Sequence, residues 1–386
     1  MDILGYPRPD GLVGIRNHVL ILPTCACASE TCRIVSSQVK GTVNMINNSG
    51  CAEVKGNEDM TQTILVGFAA NPNVYGTVII GLGCENVGHA ELAEKIRKIT
   101  NKPLVSFGIQ EEGGTVKTIE KAVRAAREMA MAASMEQRIP CDISNIMLAQ
   151  ECGGSDATSG LAANPALGLA SDRLIDLGGS TMMNETIEFI GAEHVLAARG
   201  ETEEIRRKII EICRDFEEHL AKAGQNCRHG QPTPGNKAGG LSTIEEKSLG
   251  CIHKGGSRPI VEVVMEGERP TKRGAIVMDS PGYDIASMTA MAAGGCHVMV
   301  FTTGRGTPTG NVIMPVIKIT GNAETYQRML DNMDFDASGP ISGVSTLQET
   351  ADALFDEIVE VCNGKMTKAE IYGFSDIAID RVCRFI

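Results

Sequence analysis

The run Ile146-Met147-Leu148-Ala149, closed by Gln150-Glu151-Cys152-Gly153-Gly154-Ser155-Asp156, decides how this chain is read. Four apolar residues in a row, with no polar alternation, describe a strand covered on both faces, and the Gly-Gly pair describes a tight turn into the next element. The same pattern recurs in short apolar runs at 18–22, 43–46, 77–82, 104–107, 276–278 and 298–301, many of them leading into Gly, Thr or Cys. Segments 30–39, 57–68, 90–99 and 116–133 carry the spacing of amphipathic helices. Strands alternating with helices predict an α/β protein built on parallel sheets.

At 386 residues the chain is long enough for two units. A long Ala/Met/Glu helix stops at 137–144, in Arg138-Ile139-Pro140-Cys141-Asp142, which places a boundary between 1–138 and 139–386. A charged helix at 201–223 is followed by an irregular stretch at 224–240, read as an active-site loop or a crossover. The net charge of −12 removes the positive field that nucleic acid or an anionic membrane would need. Thirteen scattered cysteines do not make a disulfide scaffold, and residues 1–10 do not resemble a secretory leader. No apolar stretch approaches the roughly 20 residues of a membrane span. These features predict a soluble cytoplasmic protein with reduced thiols.

In an open parallel sheet, ligands sit beyond the carboxyl ends of the strands. The unusual ends are Pro23-Thr24-Cys25-Ala26-Cys27, Gly81-Leu82-Gly83-Cys84-Glu85-Asn86, the 150–156 segment and Thr302-Thr303-Gly304-Arg305-Gly306-Thr307. Arg305, set among hydroxyls and glycine amides, suits bidentate capture of a carboxylate or sulfonate. Gly153, Gly154, Ser155, Asp156, Thr302, Thr303, Gly304 and Gly306 are the accompanying candidate substrate contacts. In Met278-Asp279-Ser280-Pro281-Gly282-Tyr283-Asp284, either Asp279 or Asp284 suits sugar hydroxyls or a cation. Lys247, His253 and Lys254, in a Gly-framed stretch, can take a proton beside a carboxylate or neutralise an enediolate. For each of these, a tight turn or a solvated surface charge is the competing reading.

Two metal routes are visible. If 184–190 is helical, Glu185 and Glu188 share a face at i and i+3, with His194 following Gly191, and such a set suits iron, manganese or magnesium. Alternatively Cys51, Cys84, Cys152 and Cys296, each beside a glycine, converge as thiolate ligands, although no CxxC pair is present. Dinucleotide, Walker and nucleophile-elbow motifs are absent from the sequence.

Taken together, residues 5–17 (Gly5-Tyr6-Pro7-Arg8-Pro9-Asp10-Gly11-Leu12-Val13-Gly14-Ile15-Arg16-Asn17), Gly-Leu-Gly-Cys-Glu at 81–85, Cys-Gly-Gly-Ser-Asp at 152–156, Gly-Ala-Glu-His at 191–194, the 278–284 string and Phe-Thr-Thr-Gly-Arg-Gly at 301–306 resemble the altronate/galactarate dehydratase family. The resemblance implies a flavodoxin-like parallel-sheet domain, expected to dimerise, followed by a larger Rossmann-variant parallel-sheet domain carrying metal and substrate. It also implies an Fe2+- or Mn2+-dependent lyase that dehydrates a sugar acid to a 2-keto-3-deoxy acid. Cys152, Glu185, Glu188 and His194 are the expected cation ligands. The chain starts directly at the Gly-Tyr-Pro-Arg motif and so resembles the large subunit of a split enzyme, with a separate small SAF-domain subunit and homo-oligomeric assembly. The (2R)-sulfolactate sulfo-lyase large subunit, which releases sulfite from a sulfonate, is similar in arrangement and is the alternative. A noncatalytic metal-binding or redox-sensing protein is the third.

Overall fold

The computed structural model describes residues 1–384. The chain opens with an antiparallel pair, β1 (Asp2–Pro7) and β2 (Val13–Gly14). Four parallel strands follow: β3 (His18–Pro23), β4 (Thr42–Asn44), β5 (Val74–Gly81) and β6 (Leu104–Gly108). Their order across the sheet is β4-β3-β5-β6. Numbered within the unit this is 2-1-3-4, the flavodoxin-like order. The expected helices are present at Ala26–Gln38, Lys55–Ala70, His89–Arg97 and Thr115–Ala133.

After β7 (Ile139–Asp142), which returns to pair with β1, a second sheet begins. It contains β8 (Met147–Cys152), β9 (Ser180–Met183), β10 (Ile260–Val264), β11 (Ala275–Met278), β12 (Val298–Thr302), β13 (Val316–Thr320) and β14 (Phe335–Asp336). All seven are parallel, in the order β10-β11-β9-β8-β12-β13-β14. Without edge strand β10 this is the 3-2-1-4-5-6 order of a Rossmann sheet. The α/β class and both parallel sheets thus match what the resemblance implies.

Four strands of the larger sheet escape the apolar-run reading, the two-residue β14 because it is too short to show one and three others for local reasons. β9 is Ser-Thr-Met-Met and lacks a β-branched apolar run, β10 carries Glu262 at its centre, and β13 carries Lys318. Lys318 is fully buried and donates to the Thr309 carbonyl at 3.2 Å, so the strand tolerates a charge that breaks the pattern.

The two sheets share one apolar core. Ile64, Leu65 and Phe68 of helix Lys55–Ala70 pack in the same cluster as Met288, Met291 and Ala292 of helix Asp284–Ala293. The helices approach so closely at Gly67 that a Cβ there would lie 2.4 Å from the Ala293 carbonyl oxygen. The 5–17 string serves this framework. Buried Arg8 donates to the Pro72 and Arg16 carbonyls and to Asn17, while Arg16 reaches the Val361 and Lys365 carbonyls and Glu370. Replacing fully buried Phe68 with Ala should therefore lower unfolding free energy by about 3–5 kcal/mol. Denaturant unfolding showing a loss below about 1 kcal/mol would contradict a shared core at this point.

Candidate active site

β8 is the switch point of the larger sheet. The chain builds outward on one side through β9 and β11, then crosses back to lay β12, β13 and β14 on the other. The crevice beyond the carboxyl ends of β8 and β12 is where a ligand is accommodated in such sheets. There the Gly153 amide donates to the Thr302 carbonyl at 3.1 Å and closes the two strand ends together. Consecutive strand residues point to opposite faces, so Glu151 and Cys152, both buried at the end of β8, feed two different clusters.

The first cluster is built on Cys152. Its Sγ lies 2.8 Å from Glu188 Oε2, 3.5 Å from Cys251 Sγ and 3.1 Å from Lys254 Nζ. Lys254 Nζ is 2.5 Å from Glu188 Oε2, and Lys247 Nζ is 3.3 Å from Glu188 Oε1. Burial alone would raise the Glu188 carboxyl, but the two ammonium groups bring it down to about 2. Burial works against the Lys254 ammonium, yet Cys152 and Glu188 hold it well above the usual lysine range. Lys247 is likewise held up, by Glu188, against burial. Both lysines come from the long insertion between β9 and β10, on helix Ile244–Cys251 and the 3-10 turn Ile252–Gly255.

The second cluster is acidic. Carboxylate oxygens of Glu151, Glu185 and Asp284 all lie within 4.8 Å of one another. Burial pushes Glu151 up to about 8, drives Glu185 well above the carboxylate range with help from Glu151 and Glu188, and raises Asp284. Ser287 Oγ donates to Glu151 Oε2 at 3.0 Å, but buried Glu151 Oε1 and Glu185 Oε2 have no hydrogen-bond partner. Neither side-chain amide atom of fully buried Asn184, the residue before Glu185, has a partner. Gly153 makes room here, since a Cβ at that position would lie 2.1 Å from Asp284 Oδ2.

Glu185 and Glu188 do not share a helix face. Glu185 has a left-handed backbone, φ 66°, and precedes a single 3-10 turn, Thr186–Glu188, which sends the two carboxylates into different clusters. His194 joins neither; it is exposed on the short helix Glu193–Ala197 beyond Gly191. Nor do the four glycine-flanked cysteines converge. Cys51 and Cys84 are exposed, Cys296 contacts Met182, and Cys152 meets Cys251 instead.

A cavity of ≈ 280 Å³ adjoins the first cluster, lined by Lys247, Cys251, His253, Ser155 and Asp156 among others. The buried Ser155 hydroxyl has no partner. Asp156 is engaged by Thr158, Ser159 and Asn322 and braces the loop; a Cβ on Gly304 would strike its carboxylate. Thr302 donates to Asn164 at 2.6 Å, and Thr303 Oγ1 accepts the Arg305 and Gly306 amides. Asp279 accepts from Thr186 at 2.5 Å and so fixes the 3-10 turn from behind. Arg305 is exposed, its stem packed beside Gly154, and its guanidinium has no partner among the described residues. The 224–240 stretch covers this region, Asn236 donating to the Ser155 carbonyl at 2.9 Å.

The residues missed at the sequence level are Glu151, Asn184 and Cys251. A glutamate near the carboxyl end of a strand that opens with an apolar run was the available signal for Glu151, because such a charge is rarely buried without a partner. Nothing in the spacing marks Cys251, whose contact with Cys152 joins positions 99 residues apart.

A strand-end crevice of an α/β sheet, with paired lysines on one side and a carboxylate trio on the other, is where such a sheet accommodates a ligand. Residues 143–384 match the family model for the C-terminal part of D-galactarate/altronate dehydratase, and residues 5–134 match that for the second domain of D-galactarate dehydratase/altronate hydrolase. The chain is 37% identical over 384 residues to the (2R)-sulfolactate sulfo-lyase subunit beta of Chromohalobacter salexigens, covering 98% of this chain and 97% of that one. It is 34% identical to the altronate dehydratase of Bacillus subtilis, covering 97% of this chain and 76% of the relative. It is 38% identical over 304 residues to the galactarate dehydratase (L-threo-forming) of Escherichia coli, covering 77% of this chain and 58% of that protein. The chain belongs to the altronate/galactarate dehydratase family.

Raised carboxyls fix the sign of a pH effect. Glu151 and Glu266, both pushed up to about 8 by burial, bind protons more tightly folded than unfolded. Their contribution to stability is complete below the unfolded carboxyl range near 4 and is lost as pH rises through about 8. In chelator, the thermal midpoint should fall from pH 6 to pH 9, less steeply in Glu151→Gln; a midpoint that rises over this range would contradict the assignment.

Proposed function

We propose that this chain dehydrates a sugar acid, an aldonate or aldarate of the altronate type, to a 2-keto-3-deoxy acid. The observation that carries the reading is the pair of ammonium groups, Lys247 and Lys254, held on one buried carboxylate, with Lys247 also lining a small cavity. In the elimination, a base removes the α-proton, its electron pair becomes the C2–C3 double bond, and the β-hydroxyl leaves as water after protonation. The enol then tautomerises to the keto acid. Negative charge grows on the substrate's carboxylate as the proton departs, and fixed ammonium groups in a low-dielectric pocket stabilise it. Held in their charged state by Glu188, the two lysines are poor proton acceptors. Proton removal is therefore assigned to His253 and recognition of a hydroxyl to Ser155, both on the cavity wall, and capture of a terminal acid group to exposed Arg305, which lies outside that wall beside Gly154.

The acidic cluster fits a divalent cation. Its unpartnered carboxylate and amide oxygens are hard donors, suited to Fe2+ or Mn2+, and no lysine is hydrogen-bonded to them. Glu151, Glu185 and Asp284, with Asn184 beside them, would hold the ion. When bound, it supplies Lewis-acid polarisation of the substrate's acid group. The thiol cluster is the poorer host because Lys254 already occupies the space between its sulfur and carboxylate ligands.

A second reading, sulfite release from sulfolactate, is favoured by the match along 97% of the sulfo-lyase beta subunit. The relative's name as a subunit also supports a separate small SAF-domain partner for this chain. Homo-oligomeric assembly and a cytoplasmic location belong to the same proposal. No helix among the described residues is long and apolar enough to cross a membrane.

Incubation with Fe2+ under anaerobic conditions and candidate acids should yield keto acid from an aldonate or aldarate. Sulfite from sulfolactate would select the second reading, and neither product would leave a binding protein. His253→Gln should lower kcat by ~10²-fold or more while substrate binding stays within a few-fold; an unchanged kcat would remove His253 from the chemistry. Glu185→Gln and Asp284→Asn should each cut metal occupancy by ~10-fold or more, measured by elemental analysis. His194→Ala should leave occupancy intact, and a loss there with none at Glu185 would overturn the carboxylate site.

A further inference from the structure

Cys152 and Cys251 take no part in the chemistry above, yet their sulfurs are 3.5 Å apart. Among the described residues no other two thiols are joined by a hydrogen bond. We propose that this pair is an oxidation site, closed to a disulfide by a hydroperoxide that enters through the reaction cavity. The proposal stands on the thiol geometry, whichever reaction the cavity carries out.

Three features set the pair apart from the other cysteines. Cys251 lines the ≈ 280 Å³ cavity, so a molecule as small as hydrogen peroxide reaches one sulfur although both residues are buried. Cys152 donates to Glu188 Oε2 at 2.8 Å, which fixes its sulfur in place beside Cys251. Lys254 Nζ, 3.1 Å from the same sulfur, stabilises the negative charge that develops on it. The Cys251 thiol attacks the peroxide, breaking the O–O bond and forming an S–O bond, with one water released. Cys152 then attacks the Cys251 sulfenic acid; the S–S bond forms, the S–O bond breaks, and the leaving hydroxide takes the Cys152 thiol proton directly as the second water. Two thiols lose two electrons in all, and one peroxide gains them.

Closing the bond requires the sulfurs to approach to about 2.05 Å. Each cysteine adjoins a glycine, Gly153 or Gly250, where the backbone adjusts most easily. The link would join the end of β8 to helix Ile244–Cys251 and draw Cys152 away from Glu188, loosening the carboxylate that holds both ammonium groups. Oxidation would thus disable the site reversibly.

The test uses the full chain without added metal, so that iron oxidation does not intervene. After treatment with a few equivalents of hydrogen peroxide and alkylation of remaining thiols, peptide mass mapping should find a Cys152–Cys251 linked peptide that dithiothreitol abolishes. Exposed Cys27, Cys51, Cys84 and Cys383 serve as internal comparators for general oxidation. Assayed after the peroxide is removed and Fe2+ is supplied anaerobically, treated wild type should also show a loss of activity that prior dithiothreitol treatment reverses, whereas Cys251→Ser, compared with its own untreated control, should retain a several-fold larger fraction. Should Cys251→Ser fold poorly, the peptide map of the unaltered chain decides alone. Oxidation of the exposed cysteines with Cys152 and Cys251 still alkylated as free thiols would overturn the proposal.

Discussion

Charge buried without water must find a counter-charge, a proton or an ion, and this constraint shapes the site. Glu188 has found two ammonium groups and remains ionised at about pKa 2 inside the core. In the neighbouring cluster, Glu151, Glu185 and Asp284 have no such partners, and their raised carboxyls report the repulsion and desolvation left over. One cluster is therefore complete within the chain, while the other is complete only with protons or a cation. Under the proposed function this difference gives the two sides separate tasks: fixed positive charge for a developing anion, and oxygen ligands for a metal.

The fold produces this separation with economy of sequence. Two neighbouring residues at the end of β8 alternate faces, and a left-handed residue at Glu185 does the same for the turn that follows β9. Asp279 and Ser280, at the end of β11, lock that turn through Thr186 and the Glu185 amide. The lysines arrive from the insertion ahead of edge strand β10, so the conserved order of a Rossmann sheet supplies the crevice and the insertion supplies the chemistry placed in it.

Much of the fold was legible because parallel strands covered on both faces leave uninterrupted apolar runs, as in β3, β11 and β12. Strands bearing Glu262 or Lys318 were not, since a single tolerated charge erases the pattern. Site residues at strand ends, Cys152 and the 302–306 turn, could be picked out by position, and the Gly-framed lysines by composition. The grouping could not. Read as a helix, 185–188 joined two carboxylates that one left-handed backbone angle separates, and it drew in His194, which the Gly191 turn carries to the surface. Contacts such as Cys152 with Cys251 join distant positions through the tertiary fold and leave no trace in spacing. The 5–17 string, used in the sequence only for the resemblance, holds two arginines that clamp distant carbonyls of the framework together.

The most direct test of the central claim is anomalous X-ray diffraction from crystals grown with Mn2+. The account predicts one strong anomalous peak between the carboxylates of Glu151, Glu185 and Asp284. A peak seated instead between Cys152, Cys251 and Glu188, or none at either cluster, would contradict it.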